Sequence, residues 1–221
     1  MSTILISGAG RGLGQELARQ YAAEGWKVYG TVRGMGAKVP SGVERLIADV
    51  TDPGQVAALA NTLRGEALDV LFCNAGIIGK RGMALGSFDY DSWQEVFRVN
   101  VLGAAALAES LVENVAAGGH KVIAMMSSRL GSIAESSGMT LPYATSKAAL
   151  NMLVKGLATT LESRGIMVVA LSPGWVRTDM GGAGAPLAPE TSVAGLRRVI
   201  EGLTAAHSGK FFSHDGSTIQ W

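Results

Sequence analysis

The fold class this sequence predicts is α/β: a doubly wound parallel sheet of about seven strands, with helices on both faces. Three observations predict it. Short apolar runs alternate with longer segments whose apolar residues recur at helical spacing, and this continues from one end of the chain to the other. The short runs are apolar throughout, as strands covered on both faces must be. Finally, 30 glycines lie without a period among 221 residues, of which only 6% are aromatic. Glycine at that level means a backbone that often turns tightly or approaches something closely.

The elements follow in order. Thr3–Ser7 reads as a strand, and Gly12–Glu24 as a helix with Leu13, Leu17, Ala18 and Tyr21 on one stripe, ended by Gly25. Lys27–Val32 and Glu44–Ala48 are the next strands. Pro53–Leu63 is a helix opened by Asp52 as N-cap, with Pro53 at its first position. Asp69–Cys73 is a fourth strand, Asp91–Ala117 a long helix and Lys121–Ser127 a fifth strand. Tyr143–Ser163 is a second long helix, Ile166–Ser172 a sixth strand, Pro189–Ala206 a helix and Phe211–Ser213 a short last strand. No linker or internal repeat interrupts the pattern, so residues 1–221 are expected to form one domain. Gly174–Ala188, rich in Gly, Ala and Pro, is the one long irregular stretch, and such a loop is usually a lid or a binding loop.

Composition excludes several function classes. A hydrophobic fraction of 48% is ample for a packed core, which excludes disorder. Nineteen basic against eighteen acidic side chains leave a net charge of +1, which offers no footprint for a nucleic acid. One cysteine, Cys73, cannot form an internal disulfide. The first residues lack the charged region of a signal peptide, and no apolar run approaches the ~18 residues of a membrane span. A cytoplasmic protein with no membrane partner is expected. His120, His207 and His214 lie far apart and form no helix-spaced pair, so no metal site is expected.

Ser7-Gly8-Ala9-Gly10-Arg11-Gly12-Leu13-Gly14 stands between the first strand and the first helix. In an open α/β sheet such a turn brings a pyrophosphate against a helix N-terminus, where backbone N–H groups and the dipole favour negative charge. A Cβ would block that approach, hence the glycines. Their spacing is G-x-x-x-G-x-G, at Gly8, Gly12 and Gly14. The second strand ends Gly30-Thr31-Val32-Arg33, without the carboxylate that would bind a ribose 2′-hydroxyl. Arg33 instead offers a planar fork suited to a 2′-phosphate, and Arg11 could reach the same group. NADP(H) is therefore expected over NAD(H). Asp49 could accept from the adenine amino group or simply cap a turn.

Tyr143 and Lys147 are four residues apart at the start of the second long helix, one turn apart on one face. Of the four tyrosines, only Tyr143 has a lysine at this spacing. A neighbouring ammonium would stabilise the phenolate and lower its pKa from about 10. The fifth strand leads to Ser127-Ser128, the fourth to Asn74-Ala75-Gly76 and the sixth to Pro173-Gly174, all at the rim where ligands sit in such sheets. Asn100 lies in an otherwise apolar helical stretch. It is either a satisfied core amide or a group that orients a water near Lys147.

These motifs together resemble the short-chain dehydrogenase/reductase family over the whole chain, and with it a Rossmann-type fold. Gly8, Gly12 and Gly14 match its glycine motif, Asn74-Ala75-Gly76 its N-A-G turn, and Pro173-Gly174 with Thr178 its P-G segment. Ser7 stands where the family often has Thr, and Cys73 where it often has Asn. The tail from Gly209 to Trp221 is similar to that of small C-factor-like and sniffer-like carbonyl reductases. The resemblance implies a catalytic tetrad of Asn100, Ser128, Tyr143 and Lys147. Tyr143 would be the acid/base, Ser128 would hold the carbonyl, Lys147 would bind the ribose hydroxyls and Asn100 would support a relay water. It also implies cofactor contacts at Gly8, Arg11, Gly12, Leu13, Gly14, Arg33, Asp49 and Val50. Further contacts would come from Asn74, Ala75, Gly76, Tyr143, Lys147, Pro173, Gly174, Val176 and Thr178. The expected activity is NADPH-dependent reduction of a small or medium apolar carbonyl, or the reverse alcohol oxidation. Leu130, Met139, Trp175 and Met180 are the expected pocket lining. A cofactor-bound regulator with little turnover is the competing expectation. Subunit contact through the two long helices, as a homodimer or homotetramer, completes the picture.

Overall fold

The computed structural model describes residues Met1–Trp221. Its strands are β1 (Thr3–Ile6), β2 (Lys27–Val32), β3 (Val43–Ile47), β4 (Val70–Cys73), β5 (Val122–Met126), β6 (Met167–Ser172) and β7 (Phe211–Ser213). They form one parallel sheet of seven strands in the order β3-β2-β1-β4-β5-β6-β7. The chain winds outward from β1 to β3, then crosses back to β4 and winds the other way. The direction of winding reverses between β1 and β4, and a crevice opens there at the carboxyl ends of the strands.

The helices are α1 (Gly12–Ala23), α2 (Pro53–Thr62), α3 (Tyr90–Phe97), α4 (Gly103–Ala117), α5 (Leu141–Leu161) and α6 (Pro189–Glu201). Successive strand residues point to opposite faces, so the sheet has two cores. Leu5, Leu71, Ile123 and Val168 pack with Leu59 of α2, Leu107 and Leu111 of α4, and Leu150 and Val154 of α5. Ile4, Phe72, Ala124 and Val169 pack on the other side with Leu17 and Tyr21 of α1 and Leu196 of α6. The edge strand β3 exposes Glu44 and Arg45, charges that discourage pairing with another chain. Asp52 caps α2 as expected: its carboxylate accepts from the N–H groups of Gly54 (2.9 Å) and Gln55 (3.1 Å), a cap that typically contributes about 1 kcal/mol.

The helix expected over Tyr143–Ser163 runs two residues earlier at each end, at Leu141–Leu161, and two others differ by more than their ends. The segment expected as one helix over Asp91–Ala117 begins a residue earlier, after the N-cap Asp89, and is broken by a π-helical turn at Arg98–Leu102. The apolar stripe is the same on both sides, so its period does not reveal the extra residue in that turn. The last helix stops at Glu201, well before Ala206, because Gly202 caps it. The chain then makes a separate short turn at Ala205–His207, capped by Thr204.

Candidate active site

A cleft of about 750 Å³ runs along the carboxyl rim of the sheet. The glycine turn forms one wall. Gly8 and Gly12 adopt φ of +73° and +55°, where a side chain would be strained. Gly14 admits no Cβ at all, because one would lie 2.2 Å from the Gly8 carbonyl oxygen. The Ser7 hydroxyl accepts the N–H groups of Asn74 and Ala75, each at 3.0 Å, and the Asn74 amide donates back to the Ser7 carbonyl at 2.9 Å. The two turns are thereby locked into one unit. At the start of α1 no side chain caps the first N–H groups, and the first turn carries no acidic residue. These donors have no partner within the helix, and Gly12, Leu13 and Gly14 line the cleft. An anionic phosphate group fits this cradle.

Toward β2, the cleft is lined by Thr31, Val32, Arg33, Asp49 and Val50. Asp49 caps a turn: one carboxylate oxygen accepts from the Thr51 N–H at 2.9 Å and from its hydroxyl at 2.7 Å. The Thr51 N–H chiefly holds that carboxyl below its usual range. Arg11 lies 3.9 Å from Asp179, with both side chains largely exposed, so this contact between the glycine turn and the Gly174–Ala188 loop is weak. Arg81 reaches the same loop from the far side of the cleft and donates to the Met180 carbonyl.

At the other end, α5 presents Tyr143 and Lys147 to the cleft, and both are buried. The Lys147 ammonium donates to the Met126 carbonyl at 2.7 Å and lies 5.5 Å from the centre of the Tyr143 ring. Burial pushes the Lys147 pKa down to about 7. Burial also pushes the Tyr143 phenol up to about 12, and the Ser128 hydroxyl offsets part of that rise. The expected lowering of the phenol by Lys147 is thus absent here. Desolvation dominates, and Lys147, its own pKa brought down by burial, is uncharged where the phenol would titrate. The Asn100 side chain, in the π turn, accepts from the Ile77 N–H (2.8 Å) and donates to the Ile77 carbonyl (2.9 Å) and the Ser146 hydroxyl (3.0 Å). Ser146 passes the link to the Tyr143 carbonyl at 2.7 Å.

The model of the short chain dehydrogenase family matches residues 2–185. The chain belongs to the short-chain dehydrogenase family. It is 40% identical to the C-signal of Myxococcus xanthus over 165 residues, which is 74% of this chain and 99% of that one. An NADPH-bound carbonyl reductase from chicken fatty liver superposes with a TM-score of 0.92 at 27% identity, covering 100% of this chain and 99% of the other. The carbonyl reductase Sniffer of Drosophila melanogaster gives 0.90 at 31% identity, with both chains covered fully. Membership makes this chain an oxidoreductase of CH–OH and C=O groups with a site for a nicotinamide cofactor, and the glycine cradle fits the phosphates of such a group. No helix is long and apolar enough to cross a membrane.

Most residues expected at the short-chain dehydrogenase site meet along the cleft. Gly8, Arg11, Gly12, Leu13, Gly14, Arg33, Asp49, Val50, Asn74, Ala75, Gly76, Tyr143, Lys147, Pro173 and Thr178 all line it. Gly174 and Val176 do not. Gly174 backs onto the His214 ring, and Val176 is buried in a bridge to Leu187. Asn100 sits behind the wall, and Ser127 lines the cleft where Ser128 does not. Of the expected pocket residues, Met180 lines the cleft; Leu130, Met139 and Trp175 do not, and Met139 and Trp175 are exposed. Thr31, whose hydroxyl accepts the Gly8 N–H at 3.3 Å, and Asn151, which accepts from the Ser127 hydroxyl, are not among the residues expected from the sequence. Asn151 falls one helical turn after Lys147, a spacing that could have flagged it.

Proposed function

We propose that this chain is an NADPH-dependent carbonyl reductase with Tyr143 as its proton donor. The observation that carries the reading is the buried Tyr143 with Lys147 one helical turn on, its ammonium 5.5 Å from the ring centre, both at the wall of a glycine-cradled cleft. A protonated phenol is the form an acid must start from. Ser128 Oγ–H donates to the substrate carbonyl oxygen and orients it. Tyr143 Oη–H then gives its proton to that oxygen as negative charge develops there. In its charged form Lys147 spends one of its three N–H donors on Met126 and keeps the others for ribose hydroxyls. The nicotinamide, when bound, supplies the hydride. Asn100 holds the Ile77 main chain and, through Ser146, the main chain of Tyr143, and supports a relay water behind Lys147. Arg33 and Arg11 favour the 2′-phosphate of NADP(H), and Ile78 and Met180 in the cleft lining suit a small or medium apolar carbonyl.

NADPH oxidation measured with a panel of aldehydes, ketones and quinones tests this reading. Turnover of at least one class is expected, and none across the panel overturns it. The 40% identity to a protein named C-signal favours a second reading, a cofactor-bound signalling or regulatory protein with little turnover. In that case Tyr143→Phe would keep the biological effect. We further propose that the chain forms a homodimer or homotetramer through α3–α4 and α5, whose outer faces expose Leu102 and Met152.

A further inference from the structure

Asn151 is buried on α5, and the tetrad does not use it. It stands four residues after Lys147 and eight after Tyr143, on the same face of the helix. Its carboxamide makes two hydrogen bonds, and both go to one short segment. The Ser127 hydroxyl donates to Asn151 Oδ1 at 2.6 Å, and Asn151 Nδ2 donates to the Gly131 carbonyl at 3.1 Å. Ser127 and Gly131 bracket the turn that carries Ser128. That turn is pressed flat onto α5: a Cβ on Gly131 would lie 2.7 Å from both the carbonyl carbon and the Cβ of Lys147. Ser128 itself is extended, and within the turn its side chain accepts only from the Leu130 N–H at 3.3 Å. That one long hydrogen bond holds the hydroxyl within the turn, and the Arg129 N–H, donating to Ser172 Oγ at 3.1 Å, ties the turn to β6, but neither links it to the helix that carries Tyr143.

We infer that Asn151 is a positioning residue: its one carboxamide clamps both ends of the Ser127–Gly131 turn to α5, and so sets the Ser128 hydroxyl against the Tyr143 phenol. This rests on the reductase reading for its kinetic consequence. The clamp holds because each partner is buried. Removing the amide strands the Ser127 hydroxyl and the Gly131 carbonyl without partners, and the turn relaxes to find new ones. Asn151 touches none of the cleft-lining backbone of the glycine turn, so cofactor binding is spared.

The test has two arms. The first is kinetic. Asn151→Ala is expected to lower kcat by about ten- to a hundredfold, as a misplacement of about an ångström does, with NADPH affinity retained. On a Ser128→Ala background the same change is expected to add little, because its effect runs through Ser128. Asn151→Asp keeps the acceptor for Ser127 and regains a donor toward Gly131 only when protonated. Its kcat relative to the parent is expected to recover as pH falls, while that of Asn151→Ala stays low at every pH. The second arm needs no turnover. Amide deuterium exchange of the peptide spanning Ser127–Ser132 is expected to speed up in Asn151→Ala, with that of Gly8–Gly14 unchanged. A parent-like kcat in Asn151→Ala, an equal loss on the Ser128→Ala background, or unchanged exchange in the Ser127–Ser132 peptide overturns the inference. If the parent itself reduces no carbonyl, the reductase reading fails, and the exchange arm alone decides whether Asn151 holds the turn.

Discussion

The Lys147 ammonium is hydrogen-bonded to the main-chain carbonyl of Met126, the last residue of the interior strand β5, at 2.7 Å. The helix that bears Tyr143 is thus tied to the sheet by a buried side chain whose charge is costly. The same burial that brings its pKa down to about 7 couples folding to pH.

In the cofactor-free protein this coupling has a definite sign. An unfolded lysine titrates near 10.5 and the folded one near 7. Between those values the unfolded chain holds a proton that the folded chain lacks, so stability rises with pH by up to about 1.4 kcal/mol per unit; the gain is complete above 10.5, is lost as pH falls toward 7, and levels off below it. Urea unfolding at pH 7, 8 and 9 should show the rise, and Lys147→Met should flatten it. A parent with no slope in this range contradicts the assignment.

Tyr143→Phe keeps the buried ring and removes only the hydroxyl. Carbonyl reduction should drop by about 10²- to 10⁴-fold, the usual worth of a positioned acid, while NADPH affinity stays close to that of the parent. Lys147→Ala should reduce both rate and affinity. Parallel rate and fluorescence-titration measurements on one preparation separate the two. A Phe variant that turns over at the parent's rate would falsify the role given to Tyr143.

Arg33→Ala should weaken NADPH binding far more than NADH binding. A charge-assisted contact contributes on the order of 1.5–3 kcal/mol, roughly ten- to a hundredfold in affinity. Isothermal titration with each cofactor measures this directly. Equal dissociation constants for the two in the parent would refute the preference.

The outer faces of α4 and α5 should be covered in solution by another copy. Met152 is 71% exposed and Leu102, at the end of the π turn, 62%. Light scattering at micromolar concentration should give a dimer or tetramer, and a charge at Met152, as in Met152→Glu, should shift it toward the monomer. A monomeric parent sinks this prediction.

Several parts of the site were legible before any coordinates because they are local. Gly8, Gly12 and Gly14 declare a phosphate-binding turn by their spacing, and Tyr143 and Lys147 share a face because four residues make one helical turn. The strands and their parallel pairing followed from apolar runs separated by helices. The π turn at Asn100 was not legible, since the apolar stripe continues through it. Only the reach of the Asn100 amide to the Ile77 main chain, far along the chain, gives that turn a reason. The clamp from Asn151 to Ser127 and Gly131 was hidden in the same way, because its partners are 24 and 20 residues away.

Sequence by itself determined the order of the elements, the sheet's two-faced burial and which residue types stand at its carboxyl rim. These follow from periodicity and spacing, properties of the chain within a few turns. Tertiary structure alone decided which rim residues face the cleft, why Gly174 and Val176 turn away from it, and which way the pKa values move. The spacing of Tyr143 and Lys147 argued for a lowered phenol, yet the folded protein raises it. Desolvation depends on everything packed around a group, and that surrounding is assembled from β5, α5 and the Ser128 turn only when the chain has folded.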